Sequence, residues 1–274
     1  MNFNTTKMTR QDWLVTIVNA ALDGGKEILE IYNAPFSVET KVDNSPITQA
    51  DKNAHIAVVK ALEKTNIPIL SEEGAQVAHS IRKDWKQFWM VDPLDGTKEF
   101  INRNGEFTVN IALIEDGNPT MGVIYIPITQ TLYFADKIAY KIENFNESTF
   151  SIHNLLGKAD QLPLTKNRSN YIVLASRSHM NEATTIYINQ LKESYPNLLI
   201  DAKGSSLKLC TIAEGSADIY PRFAPTMEWD ISAGHAIVNA AGGRVINWET
   251  NKPLQYNKQN LLNPSFIVNQ SQKK

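Results

Sequence analysis

Residues 89–100 read WMVDPLDGTKEF. Asp92 and Asp95 close an apolar run, and Pro93 fixes the bend between them. Like charges that close raise each other's pKa unless a cation, a basic side chain or solvent offsets them. Two more acidic features end apolar segments: Glu72-Glu73 after IPIL, and Asp230 after Trp229 at the start of a helical pattern. Each alone has an ordinary reading. The glutamate pair suits a solvated turn, Asp95-Gly96 a plain turn, and Asp230 a helix N-cap. Together they supply the several carboxylate oxygens that a hard divalent cation takes. Gly96-Thr97 adds backbone N–H groups that, at a helix start, favour an anion. Acids beside an anion cradle make chemical sense when cations lie between them, which is the arrangement of a metal-dependent phosphate site. Phosphate monoester hydrolysis is among the slowest uncatalysed reactions, with enzymatic accelerations of up to ~10²¹, so several cations are a sensible answer.

A rival chemistry uses an aspartate itself as nucleophile, in the Asp-x-Asp-Gly-Thr loop of haloacid-dehalogenase-like phosphatases. The spacing in this chain is one residue longer. Pro93 also removes a backbone donor, and the motif lies about a third of the way along rather than at the N-terminus. Water is therefore the expected nucleophile.

The elements that must position these groups are legible in the periodicity. Apolar positions at helical spacing run over 11–32 and again over 49–64, with Thr48 and Asp51 forming a capping pair ahead of the second helix. Gly24-Gly25 weakens the first locally. IPIL and QFWMV read as strands, and FTVNIALI and MGVIYIP as a hairpin across Glu-Asp-Gly-Asn; TLYFAD and IAYKI continue the meander. The first half is thus a helix pair followed by an antiparallel sheet. A polar stretch at 143–170 places a domain boundary near its start, between residues 1–145 and 146–274. Beyond it, strands YIVLAS, LLIDA, DIYPR, GRVIN and SFIVN alternate with helices near 180–194, 205–214 and 230–241, an α/β half with a mixed sheet. Gly242-Gly243 closes the last helix.

The 274 residues, 42% hydrophobic and 20% charged with net charge −2, describe a globular chain with a substantial core. No basic stripe marks a nucleic-acid polymer as partner. No apolar run nears the ~18 residues of a membrane span, and the opening MNFNTTKMTRQDW lacks the apolar region of a secretory signal. The single cysteine, Cys210, excludes an intrachain disulfide and suits a buried thiol in a reducing compartment. His55 and His79 read as surface or satisfied core residues, and His235 as helix packing. Lys208 and Arg222, taken alone, read as solvated surface charges.

WMVDPLDGTKEF together with EWDISAGHAIVNAAGG resembles the two signature regions of the inositol monophosphatase superfamily. The run DPLDGTKEFINRNGEFTVNIALIEDGNPTMGVIYIP resembles its CysQ branch, the 3′(2′),5′-bisphosphate nucleotidases, and the likeness spans essentially the whole chain. The resemblance implies a layered α/β/α/β/α sandwich and a Mg²⁺-dependent, lithium-sensitive hydrolase. It implies removal of the 3′-phosphate from adenosine 3′,5′-bisphosphate, and from 3′-phosphoadenylyl sulfate, in sulfur assimilation and nucleotide recycling. A sugar phosphatase acting on inositol or fructose phosphates is the alternative within the superfamily. A nucleotide sensor without turnover is the alternative outside it. The setting implied is cytoplasmic, at most peripheral on the inner face of the membrane.

Carried over by matched position, Glu72, Asp92 and the Leu94 carbonyl would hold one Mg²⁺, and Asp92, Asp95 and Asp230 a second. Glu72 would hold a third through waters, which makes two to three ions. Gly96 and Thr97 would bind the scissile phosphate, and Thr97 would pair with Asp51 to activate water, with Glu72 assisting. His179, Ser205, Lys208 and Arg222 match nucleotide contacts. Lys41 matches a basic position near the metals whose role stays open, as does any share of Glu73 in the metal site.

Overall fold

The computed structural model describes residues 8–41, 46–164, 168–177 and 180–270. Thr9 opens helix α1 (Arg10–Tyr32) by reciprocal capping: its hydroxyl accepts the Asp12 N–H at 3.2 Å while Asp12 takes the Thr9 N–H at 2.8 Å. Gly24 and Gly25 do not break this helix. They let it approach its neighbours, since a Cβ on Gly24 would lie 2.9 Å from Val58 and one on Gly25 2.5 Å from Tyr125. After a small antiparallel ladder, β1 (Val38–Thr40) with β2 (Pro46–Thr48), helix α2 (Gln49–Glu63) is capped by Thr48 and Asp51 in the same reciprocal way.

The large sheet takes β3 (Ile69–Ser71), β4 (Gln87–Asp95), β5 (Thr108–Glu115), β6 (Asn118–Ile126), β7 (Thr131–Ala135), β8 (Ala139–Ile142) and β9 (Asp160–Gln161), in that order. Neighbours are antiparallel except β3 with β4, which are parallel. Their connection carries the short helix α3 (His79–Arg82) back across the sheet, as a parallel pair demands. An all-antiparallel first sheet is therefore corrected at this one edge.

The remaining elements are α4 (Thr97–Ile101), α5 (Ile152–Gly157), α6 (Glu182–Ser194), α7 (Leu207–Ala213) and α8 (Glu228–Ala240), with β10 (Tyr171–Ser176), β11 (Leu198–Lys203), β12 (Ile219–Arg222), β13 (Gly243–Asn247) and β14 (Phe266–Gln270). The second sheet has the order β11-β10-β12-β14-β13, and β10 is parallel to both its neighbours. Helices α1 and α2 cover one face of the large sheet, through Ile17, Val18, Val58 and Leu62 against Trp89, Ile111 and Val123. Its other face, with Met90, Ala112 and Ile124, meets Leu209 of α7 and Ile231 and Ile237 of α8, which in turn meet Leu174 and Tyr220 of the second sheet. Ile188 of α6 covers the far side of that sheet over Val173, Ile219 and Ile267. The result is the α/β/α/β/α stack. The chain crosses residue 145 without leaving the large sheet, because β9 pairs with β8 and α8 packs on β5 and β6.

Candidate active site

Residues in a strand alternate faces, so Asp92 and Asp95, three positions apart, would ordinarily point to opposite sides. The β4–β5 register removes that conflict. Asp92 pairs with Asn110 and Asp95 with Thr108, so β4 spends three residues where β5 spends two. This irregularity resets the parity, and both aspartates face the α7/α8 layer. Pro93 sits inside it, where a missing N–H costs no ladder bond. Asp92 Oδ1 accepts the Leu94 N–H at 3.1 Å.

Glu72 follows β3, and its N–H donates to Val91 O at 3.0 Å. Because β3 and β4 are parallel, their C-terminal ends bring Glu72 and Asp92 to one edge. Asp230 arrives from α8. It is not an N-cap, the ordinary alternative for it, but a first-turn residue that reaches back to accept the Met227 N–H at 2.9 Å. One carboxylate oxygen each from Glu72, Asp92 and Asp230 lies within 4.8 Å of the others. That grouping does not include Asp95. Its Oδ2 accepts the Ser205 hydroxyl at 2.6 Å and Asn110 Nδ2 at 3.3 Å. Burial raises all four carboxyl pKa values, Asp92 and Asp230 well above the usual range, and mutual repulsion among the acids adds to the rise in Glu72, Asp92 and Asp230. Like charges clustered in this way suit a hard cation, whose charge would return them to the ionised form.

Lys41 stands at the rim of the acids. Its Nζ donates to Glu72 Oε1 at 2.9 Å and to Glu73. Burial opposes its charge, but the two glutamates outweigh that and raise its pKa. Glu73 is thus held by a lysine, while Glu72 belongs to both the lysine and the acidic trio. Beyond Asp95 the chain turns through Gly96 at φ +91°, where a Cβ would also sit 3.0 Å from Glu106 O. Only glycine meets both demands at little cost. Thr97 then starts α4, and its hydroxyl donates to Asp51 Oδ1 at 3.0 Å. Asp51 is 2% exposed and does two jobs, since its Oδ2 also takes the Thr48 N–H and hydroxyl, each at 2.7 Å. Burial raises its pKa, partly offset by those hydrogen bonds.

The second half of the chain closes the cleft. Glu72, Asp95, Gly96, Thr97 and Asp230 line it together with Ser205, Lys208 and Arg222. Lys208 and Arg222 are only 4% and 7% exposed, so the surface reading of both is corrected. Lys208 Nζ donates to Ser205 O at 2.6 Å and Lys203 O at 3.0 Å, and burial pushes its pKa down to about 8. Arg222 donates to Pro225 O at 2.7 Å, while its buried Nε has no partner. His179 lies outside the described residues. His235 packs inside, with Nδ1 2.8 Å from Tyr256 Oη, and Cys210 is a buried thiol. Ser206, at the N-cap of α7, makes no side-chain capping bond. Its hydroxyl instead joins Thr108 at 2.8 Å and Asn110 Oδ1 at 2.9 Å. Sequence reasoning passed over Thr108 and Asn110. The available signal was two polar residues on one face of an apolar strand, FTVNIALI.

The sequence profile of the inositol monophosphatase family matches residues 9–274. The 3′(2′),5′-bisphosphate nucleotidase CysQ of Salmonella typhimurium is 42% identical over 261 residues, 93% of this chain and 98% of that protein. Its Escherichia coli K12 counterpart is 42% identical over 258 residues, 92% and 97% of the two chains. Among solved structures, CysQ from Bacteroides thetaiotaomicron, a bacterial member of the inositol monophosphatase family, superposes with a TM-score of 0.89 at 46% identity, covering 96% of this chain and 98% of that one. An inositol monophosphatase (IMPase) of Thermotoga maritima shares the fold at a TM-score of 0.73 and 20% identity, over 94% and 92% of the two chains.

Proposed function

The chain belongs to the inositol monophosphatase family, in its CysQ branch, and from that premise we propose that its cleft hydrolyses the 3′-phosphate of adenosine 3′,5′-bisphosphate to AMP and phosphate. The observation that carries the reading is one cleft lined by both clustered acids and buried cations. The acids are the trio Glu72, Asp92 and Asp230, of which Asp92 is fully buried and the other two partly. The cations are Lys208 and Arg222, both buried in the cleft lining. A substrate with two phosphates fits such a cleft. One phosphate meets the acids through cations, and the other meets the basic groups directly. The ammonium of Lys208 has a third hydrogen beyond its two carbonyl partners, and Arg222 Nε has no partner.

The family is generally metal-dependent, and the oxygen-only donor set of this cleft suits Mg²⁺. Two to three ions would be held by Glu72, Asp92, the Leu94 carbonyl, Asp95 and Asp230. When bound, they would neutralise charge on the transferring phosphoryl group and acidify water toward pKa ~7. The chain's own groups do the rest. The N–H groups of Gly96 and Thr97 receive the scissile phosphate. The Thr97 hydroxyl donates to Asp51 Oδ1, which leaves its oxygen lone pairs to accept from the attacking water and orient it. Water then attacks phosphorus in line, the bond to the ribose 3′-oxygen breaks, and that oxygen takes up a proton. No carboxylate is phosphorylated in this scheme. A cleft with both acids and buried cations favours a bisphosphate over an inositol or fructose monophosphate, and 3′-phosphoadenylyl sulfate offers the same two anions.

Phosphate release from adenosine 3′,5′-bisphosphate, with Mg²⁺ and with excess chelator, tests the reading. Release with Mg²⁺ and none with chelator is expected. Equal release in both, or release only from monophosphates, overturns it. Trapping an aspartyl-phosphate on Asp92 or Asp95 would overturn the water mechanism.

A further inference from the structure

Ser205 links the acids and the cations of the cleft. Its hydroxyl donates to Asp95 Oδ2 at 2.6 Å, and its backbone carbonyl accepts from Lys208 Nζ at 2.6 Å. It does so from a left-handed backbone, φ +49°, which a non-glycine residue adopts at a cost. Its surroundings hold it there. Glu106 Oε2 accepts the Gly204 N–H at 2.6 Å, and Glu106 Oε1 is in turn paired with Arg177 at 2.8 Å. Thr108 Oγ1 lies 2.8 Å from the Ser205 hydroxyl. The Thr108 hydroxyl also reaches the Ser206 hydroxyl at 2.8 Å and Asn110 Oδ1 at 3.1 Å, and Ser206 donates to Asn110 Oδ1 at 2.9 Å. Asn110 Nδ2 completes the circuit to Asp95 at 3.3 Å. Thr108, Asn110 and Ser206 are all essentially buried. Asp95 Oδ2 is thus committed to Ser205 and Asn110, and the Ser206 N–H also reaches Asp95.

We propose that Ser205 is a positioning residue that couples cation binding at the acids to anion binding at Lys208. Resting on the functional reading above, this adds how its two subsites communicate. An anion that draws Lys208 Nζ pulls on the Ser205 carbonyl, and the same residue's hydroxyl sets the angle of the Asp95 carboxylate. Fixing one end lowers the cost of fixing the other. By linkage the effect is reciprocal, and couplings of this kind are commonly about 5- to 150-fold in affinity. Neighbouring Ser206 reaches Asp95 through its backbone N–H, but its hydroxyl goes to Thr108 and Asn110, so Ser206→Ala, which removes the hydroxyl alone, serves as the comparison.

The experiment measures Mn²⁺ affinity of the full chain by electron paramagnetic resonance of the free ion, with and without saturating AMP. AMP carries the 5′-phosphate but has no 3′-phosphate to turn over. Wild type is expected to bind Mn²⁺ about 5- to 10-fold tighter with AMP present. Ser205→Gly tolerates φ +49° and keeps the carbonyl for Lys208 but has no hydroxyl, and its coupling is expected to fall to within twofold of none. Ser206→Ala should keep at least half the wild-type factor. Should Ser205→Gly fail to fold, Ser205→Ala takes its place with the same expectation. Undiminished coupling in the Ser205 variants, or none in a wild type that does hydrolyse adenosine 3′,5′-bisphosphate, overturns the proposal while leaving the functional reading standing. A wild type with no Mg²⁺-dependent phosphate release removes the functional reading and the coupling with it.

Discussion

At the scale of single residues the cleft is a set of charges held against their preference. Asp92 is 1% exposed and shares its surroundings with Glu72 and Asp230. Asp92→Asn keeps an oxygen for the Leu94 N–H but removes one of three converging charges. Mg²⁺-dependent phosphate release should disappear. The cation-free protein should melt higher, since a domain of this size gains roughly 2–4 °C per kcal/mol of relieved repulsion. Calorimetry in chelator and a phosphate assay check the two halves separately, and near-normal turnover would remove Asp92 from the site. His235 makes the opposite kind of statement. Burial holds its pKa down to about 3, against an ordinary 6.5. Its contribution to stability is complete above pH 6.5 and is lost as pH falls toward 3, because the unfolded chain takes up the proton first. Near pH 5 the loss is about 2 kcal/mol. The raised carboxyls pull the other way, gaining stability as pH falls. The difference in unfolding free energy between wild type and His235→Gln therefore isolates the histidine. That difference should shrink by about this amount between pH 7 and pH 5 in urea titrations.

At the scale of elements, two glycine positions separate packing from chemistry. Gly25 lets α1 approach β6, and a Cβ there would meet the Tyr125 ring at 2.5 Å. Gly25→Ala should cost about 1–3 kcal/mol by overpacking and leave KM and kcat close to wild type in folded protein. Gly96 joins β4 to α4 at φ +91° with Asp95 before it and Thr97 after it. Gly96→Ala should cost about 1–2 kcal/mol for the left-handed backbone. It should also lower kcat at least tenfold, because any relief of that strain turns Thr97 away from Asp51. Urea unfolding paired with steady-state kinetics separates the cases, and equal kinetic losses in both variants would reject the distinction. The β4 irregularity is the other decisive local device, since it alone allows residues three apart to share a face.

At the scale of the molecule, the cleft lies where the large sheet, α8 and the second sheet meet, and neither half of the chain carries it alone. Selectivity should therefore reside in the second half. Lys208→Ala and Arg222→Ala are expected to raise KM for adenosine 3′,5′-bisphosphate roughly tenfold to a hundredfold, the worth of a charge-assisted contact at ~1.5–3 kcal/mol. Inositol phosphate, with no second anion, should be little affected. Equal losses on both substrates in a two-substrate assay would place recognition of the second phosphate elsewhere.

The sequence alone determined the helices, most strands, the capping pair Thr48–Asp51 and the layered class, because periodicity, capping and turn chemistry act over a few residues. It also marked Glu72-Glu73, Asp92, Asp95 and Asp230 as a candidate set, because together they supply the oxygens of a hard cation, and the family resemblance picked Glu72 from its pair. What it left undecided depended on contacts between residues far apart. Only the β4–β5 register turns Asp92 and Asp95 to one face. Only the parallel edge brings Glu72 beside Asp92, while Glu73 goes to Lys41. Lys208 and Arg222 read as surface charges along the chain and are buried in the fold. Ser205, matched by resemblance to a nucleotide contact, meets Asp95 across 110 positions of sequence, a contact no local pattern shows. Local pattern sets which way a segment curls, but burial and pairing at such separations are properties of the packed layers.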